Sequence, residues 1–141
     1  MSLHHGAIAQ TLYRSFNPFQ NGSLDINASN PEFITAYAPQ TPVEGMYLDK
    51  MGATTGWTTG PVVHTCKDFR LPTFALLCQD EVTAFAGNGD SGGPVFQFIN
   101  QTSAAFSGIV WYTTGTGGTY YFSYVDRIAS DMGSWVNYGP Q

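Results

Sequence analysis

The sequence predicts an all-β fold, a six-stranded antiparallel β-barrel with a short C-terminal helix. Three observations carry this expectation. Glycine (16), proline (8), tyrosine (8) and phenylalanine (10) are abundant among 141 residues while charged residues make up only 11%, a composition of short strands joined by tight turns. Six strand candidates follow Gly45 at short spacing: Met46 to Lys50, Trp57 to Thr65, Phe74 to Ala84, Pro94 to Ile99, Ala104 to Tyr112 and Thr119 to Tyr124. Finally, Val125, Ile128, Ala129 and Met132 fall at i, i+3, i+4 and i+7, which places them on one face of a short helix ending at Gly133.

The length suits one domain with its own core and is too short for two of full size. Residues 1–5, Met1-Ser2-Leu3-His4-His5, read as an expression remnant or a disordered end. Residues 6–44 read as an irregular wrapping segment. It has turn clusters at Asn17-Pro18, Asn21-Gly22-Ser23 and Asn30-Pro31 around two strand-like pieces, Ser23 to Ile26 and Phe33 to Tyr37. The barrel is assigned to residues 45–141. No internal repeat or low-complexity tract interrupts it.

Lys and Arg number 5 against 10 Asp and Glu, for a formal net charge of −5, so no basic cluster is present to neutralise phosphates and nucleic acid is a poor partner. No apolar run approaches the length of a membrane span, and a soluble chain is expected. The two cysteines, Cys66 and Cys78, form no CxxC, and no histidine stands at metal-ligand spacing, so neither a metal nor a cofactor is expected. Cys66 and Cys78 lie near the facing ends of two strand candidates. A disulfide between them is favoured over two buried free thiols; it would stabilise the fold by about 3 kcal/mol and place the protein in an oxidising compartment.

The segment that carries chemistry is Gly87-Asn88-Gly89-Asp90-Ser91-Gly92-Gly93-Pro94-Val95. An acyl-transfer nucleophile must stand exposed on a sharp turn, and glycines on both sides permit positive φ and admit a substrate carbonyl. The same turn can aim the N–H groups of Gly89 and Ser91 at one point, as a tetrahedral oxyanion requires. An ordinary glycine-rich hairpin with an idle serine is the plainer alternative, and the full string is more specific than that reading needs.

The GDSGGPV string resembles the nucleophile motif of the chymotrypsin/trypsin-like serine protease family. Lys50-Met51-Gly52-Ala53-Thr54-Thr55-Gly56-Trp57-Thr58-Thr59-Gly60 resembles the strand-turn-strand of bacterial secreted members, and Ser107-Gly108-Ile109-Val110-Trp111 resembles the strand that lines the primary specificity pocket. The resemblance implies the C-terminal half of a trypsin-like double barrel, with Ser91 as nucleophile and Gly89 and Ser91 forming the oxyanion hole. It implies a secreted or extracytoplasmic protein whose partners are peptide or protein substrates and an N-terminal protease barrel. In that family the N-terminal barrel supplies the histidine and aspartate of the triad. His4 and His5 lack the family's context, His64 falls inside a strand candidate, and Asp25, Asp49 and Asp68 have no orienting context. The chain alone is therefore expected to be inactive.

The resemblance also implies a buried partner for Asp90, for which Lys50 is the candidate. Counting back from Ser91, the pocket base falls near Phe85 and Ala86, followed by Gly87 and Asn88, with Val110, Trp111 and Tyr112 on the other wall. A trypsin-type acid is missing there, so Arg/Lys preference is not expected. A one-residue offset would exchange Trp111 and Tyr112 at the family's tryptophan position, and the choice stays open; Thr113 or Thr114 then replaces a glycine. A solitary barrel should also expose the apolar face its partner covers, inviting the N-terminal stretch or a second copy onto it. Two alternatives stand beside the protease reading: a non-catalytic protease-like binding module, and a sugar-binding β-barrel using Tyr120, Tyr121, Phe122 and Tyr124 as an exposed surface.

Overall fold

The computed structural model describes residues 11–13, 32–34, 39–114 and 118–133. Two short strands, β1 (Thr11–Tyr13) and β2 (Glu32–Ile34), pair antiparallel. Of the strand-like piece Phe33 to Tyr37, Phe33 and Ile34 lie in β2 and the rest, like Ser23 to Ile26, lies outside the described residues. Six further strands, β3 (Tyr47–Gly52), β4 (Gly56–Arg70), β5 (Ala75–Val82), β6 (Pro94–Phe98), β7 (Ala104–Thr113) and β8 (Tyr120–Tyr124), close into a barrel in the order β3-β4-β5-β8-β7-β6. Every pairing is antiparallel. The predicted fold class is the observed one.

Leu48, Val62, Val82, Ala84, Ala86, Val95, Val110, Tyr120, Phe122, Tyr124 and Val125 form the main core, which removes their apolar surface from water. Trp57, Phe96 and Ala104 make a second, smaller cluster with Met51 against it. The ring closes through a short seam in which Asp49 faces Phe96 and Lys50 faces Val95. Upstream of β3, the Gln97 side chain grips Gln40 in both directions: it accepts from the Gln40 N–H at 3.2 Å and donates to its carbonyl at 2.7 Å.

β4 is longer than its apolar pattern predicts, running past Thr65 to Arg70. Beyond Val62 it pairs only with β5, and β5 before Asp80 pairs only with β4, so this stretch is a two-stranded arm extending from the barrel. Cys66, Lys67 and Asp68 are all exposed on this ribbon, which is why they gave no strand signal. Cys66 and Cys78 are joined across the arm by a disulfide. The sugar-binding reading fails at β8, where Tyr120, Tyr121, Phe122 and Tyr124 are all buried and none offers an exposed ring.

The helix α1 (Val125–Met132) ends in left-handed Gly133, whose N–H donates to the Ala129 carbonyl. Its predicted apolar face is only partly used, since Val125 is buried while Met132 remains 48% exposed. Arg127 does more to dock it. Its guanidinium lies 2.9 Å from the wholly buried Asp80 carboxylate and donates to the Cys78 carbonyl at 2.6 Å.

Candidate active site

Ser91 sits on the turn between β5 and β6 and is solvent-exposed, while the next residue back, Asp90, is completely buried. The turn is fixed by backbone bonds: Asp90 N–H donates to the Gly87 carbonyl at 3.1 Å and Gly93 N–H to the Asp90 carbonyl at 3.0 Å. The turn is stitched to β7, with Gly92 N–H donating to the Val110 carbonyl at 2.7 Å and Val110 N–H to the Gly93 carbonyl at 2.9 Å. Gly89 has a φ of 102°, and a side chain there would strike the Thr54 hydroxyl, so this position requires glycine on both counts. Among the described residues, no hydrogen bond occupies the N–H of Gly89 or of Ser91.

Asp90 is the anchor of this turn. Its Oδ1 accepts from the N–H groups of Thr54 (2.8 Å) and Thr55 (3.1 Å). Its Oδ2 accepts from the Thr55 hydroxyl (2.5 Å) and Gly87 N–H (3.0 Å), and lies 3.1 Å from the Lys50 ammonium. Burial alone would raise the Asp90 carboxyl; the hydrogen bonds from Thr55, Gly87 and Thr54, with the Lys50 charge, outweigh it and bring the pKa down to about 2. Lys50 is also fully buried. Burial pulls its ammonium below the usual lysine range, while Asp90 pulls it back. It donates in addition to the Thr55 hydroxyl at 2.6 Å and the Gly56 carbonyl at 3.4 Å. Gly52 lets the carboxylate approach, since a Cβ there would overlap Asp90 Oδ1.

Sequence reasoning named Lys50 and passed over Thr54 and Thr55, which supply most of the hydrogen bonds. They lie in the same Lys50 to Gly60 segment, and a buried carboxylate, which needs several donors, was the signal for them.

Ser91 Oγ donates to the Trp111 carbonyl at 3.2 Å. An open cavity of about 540 Å³ lies beside it, lined in part by Met51, Ala53, Gly89, Ser91 and Pro94. Of the expected pocket residues, Phe85 and Asn88 are exposed and Gly87 half-buried. Ala86 and Val110 point into the barrel core, so only their backbones can face a ligand. The offset between Trp111 and Tyr112 is a β-bulge: Val110 opposes Phe122 and Tyr112 opposes Tyr121, leaving Trp111 without a ladder partner. Thr113 is buried and Thr114 exposed.

His64 is an exposed residue of β4 whose Nδ1 is 3.9 Å from Glu44 Oε1. Asp49 accepts from the Trp57 indole at 2.9 Å and Asp68 from Cys78 N–H at 2.9 Å. None of them contacts Ser91; His4, His5 and Asp25 lie outside the described residues. No cluster of metal-ligating side chains occurs among the described residues, and no described helix is long and apolar enough to cross a membrane.

A closed antiparallel barrel presenting an exposed serine beside a buried, cation-paired aspartate defines a trypsin-like barrel. The chain is similar in structure to bacterial chymotrypsin-like serine proteases. Cellulomonas bogoriensis chymotrypsin matches at 27% identity and a TM-score of 0.60, over 77% of this chain and 58% of that one. Thermobifida fusca protease A matches at 24% identity and 0.60, over 77% and 57% respectively. Nocardiopsis protease matches in fold at 22% identity and 0.60, over 86% and 57%. The chain thus spans less than two thirds of the length of each. No protein-family model matches the sequence, and no curated protein does.

Proposed function

We infer that this chain is the C-terminal barrel of a secreted serine endopeptidase, with Ser91 as nucleophile. The observation that carries the reading is the pairing of opposites at adjacent residues: Asp90 is locked in the interior by Lys50, Thr54, Thr55 and Gly87, and the lock leaves Ser91 exposed between two unoccupied backbone donors. Ser91 Oγ attacks the peptide carbonyl carbon and its proton passes to a histidine of a partner N-terminal barrel. The carbonyl oxygen becomes the oxyanion held by the Gly89 and Ser91 amides. Collapse of this intermediate releases the amine with that proton, and water then hydrolyses the acyl-enzyme. Phe85 to Asn88 and the backbone of Val110 to Tyr112 form the sides of the substrate site.

In the chain as described, the Ser91 proton is held by the Trp111 carbonyl, an oxygen far too weakly basic to accept it. Activity therefore depends on the partner barrel. The test uses a fluorophosphonate probe and a panel of peptide esters on the purified chain, and on the longer gene product if its upstream coding sequence supplies His and Asp. The chain alone should label no faster than an ordinary serine, whereas the longer product should label stoichiometrically and lose labelling in Ser91→Ala. Rapid labelling of Ser91 in the isolated chain would overturn the dependence on a second barrel. A longer product with no triad histidine would favour the protease-like binding module.

A further inference from the structure

Beyond the Ser91 turn, the arm formed by β4 and β5 reaches toward the site through the aromatic side chain of Phe69. Phe69 packs edge-on against Trp111, with ring centroids 5.2 Å apart, and against Tyr121 at 4.5 Å. The Lys67 ammonium lies 5.5 Å from both the Phe69 and Tyr121 rings and 3.4 Å from Glu81 Oε2. Trp111 is the residue whose carbonyl receives the Ser91 hydroxyl, and it is the bulged, unpaired residue of β7. The ladder is locally disrupted at such a bulge, so the packing of the indole contributes to where the Trp111 carbonyl sits. We propose that Phe69 is a positioning residue for the Ser91 site, holding Trp111 in place, and that the Cys66–Cys78 disulfide latches Phe69 there.

The latch follows from how the arm is built. Past the disulfide, Phe69 sits on a two-stranded ribbon with register shifts between His64 and Lys67 and between Lys67 and Phe69. An isolated two-stranded hairpin is marginal in water, so these pairings alone hold Phe69 weakly. The disulfide keeps the strands together at the base of this ribbon, where Cys66 N–H donates to buried Asp80 at 2.9 Å and Arg127 holds the Cys78 carbonyl. Cys66 and Cys78 are also the only described non-glycine residues with positive φ, at 55° and 56°. That backbone is unfavourable for a side-chain-bearing residue, and the disulfide is one of the contacts that hold it, beside the bonds from the Cys66 and Cys78 N–H groups to Asp80 and Asp68.

Cys66 is exposed, so a dithiol reductant can reach it. Its thiolate attacks Cys66 Sγ, the S–S bond breaks, and Cys78 leaves as a thiolate that takes up a proton. The reductant's second thiol then closes its own disulfide and frees Cys66, so two electrons pass to the protein.

The full chain, labelled with ¹⁵N, reports this without any peptidase assay, so the outcome is separate from whether Ser91 is a nucleophile; only the consequence for catalysis rests on that reading. The Trp111 indole nitrogen is buried, and the Trp57 indole, bonded to Asp49, is an internal control. Reduction to two free thiols, or Phe69→Ala, should speed hydrogen exchange of the Trp111 indole at least about tenfold and shift the Ser91 and Gly92 amides, with Trp57 unchanged. Phe69→Tyr should restore the protection. Unchanged Trp111 exchange after complete reduction would overturn the latch, and unchanged exchange in Phe69→Ala would overturn the positioning role. Parallel loosening of Trp57 would overturn both, by showing that the arm supports the whole barrel instead of Trp111.

Discussion

Asp90 and Asp49 are both removed from water, at 0% and 7% exposure, yet the barrel treats them in opposite ways. Asp90 has a buried ammonium and four hydrogen-bond donations from Thr54, Thr55 and Gly87. Its carboxyl is held at about 2. Asp49 has hydrogen bonds from Trp57, Thr59 and Phe98 and no cation beside it among the described residues, and burial raises its carboxyl above the usual 3.8. Burial by itself therefore does not set a carboxylate's charge; the number and sign of its partners decide. The aspartate beside Ser91 is built to stay ionised, and the one beside Trp57 is held with much weaker compensation.

The largest break in this contrast should come from Lys50→Met, which strands a buried carboxylate. Urea unfolding should show a loss of about 3–5 kcal/mol, and adding Asp90→Asn should cost less than the sum of the two single changes. Two independent penalties that simply add would show that the pair is not coupled.

Acid titration sharpens the comparison. For Asp90 the folded pKa of about 2 lies below the unfolded 3.8, so its stabilisation, about 2 kcal/mol, is present above pH 3.8 and lost as pH falls toward 2. For Asp49 the folded pKa lies above 3.8, so the native state binds more protons between those values and stability falls as pH rises through that window. Urea midpoints measured against pH should lose the acid-side slope in Asp90→Asn and the opposite slope in Asp49→Asn.

The smallest effect should be Asp49→Asn at neutral pH. An amide keeps an acceptor for the Trp57 indole and removes a poorly compensated charge, so stability should change by less than about 1 kcal/mol. Asp49→Leu, which orphans the indole, should cost about 1–3 kcal/mol in the same assay.

The strand positions were legible because each barrel strand must bury one face, and the GDSGGPV string was legible because it packs several constraints into adjacent residues. The far end of β4, residues 66–70, was not, since a ribbon largely wet on both sides has little alternation to read. Tyr121 misled for the reverse reason: it points away from the main core, yet Phe69 and Trp111 cover it, so a residue on the outward face became buried. The bulge at Trp111 could not be placed from sequence, because a one-residue insertion in a ladder leaves the hydrophobic pattern ambiguous on either side. Thr54 and Thr55 were in plain view. What hid their role was the three-dimensional return of Asp90 onto a turn 35 residues or more earlier in the chain.

The seam between β3 and β6 has a consequence for the order of assembly. It joins Lys50 to Val95 and Asp49 to Phe96, partners far apart in sequence, and such contacts form against a large loop-closure entropy. The donors that fix Asp90 include Lys50, Thr54 and Thr55, all on the β3 and β4 side of that seam. A chain whose ring has not yet closed therefore lacks the donors that fix Asp90, and Ser91 rides on a slack loop. Closure of the ring and fixing of the turn go together, so a half-folded or torn barrel does not hold Ser91 in the place that the closed one gives it.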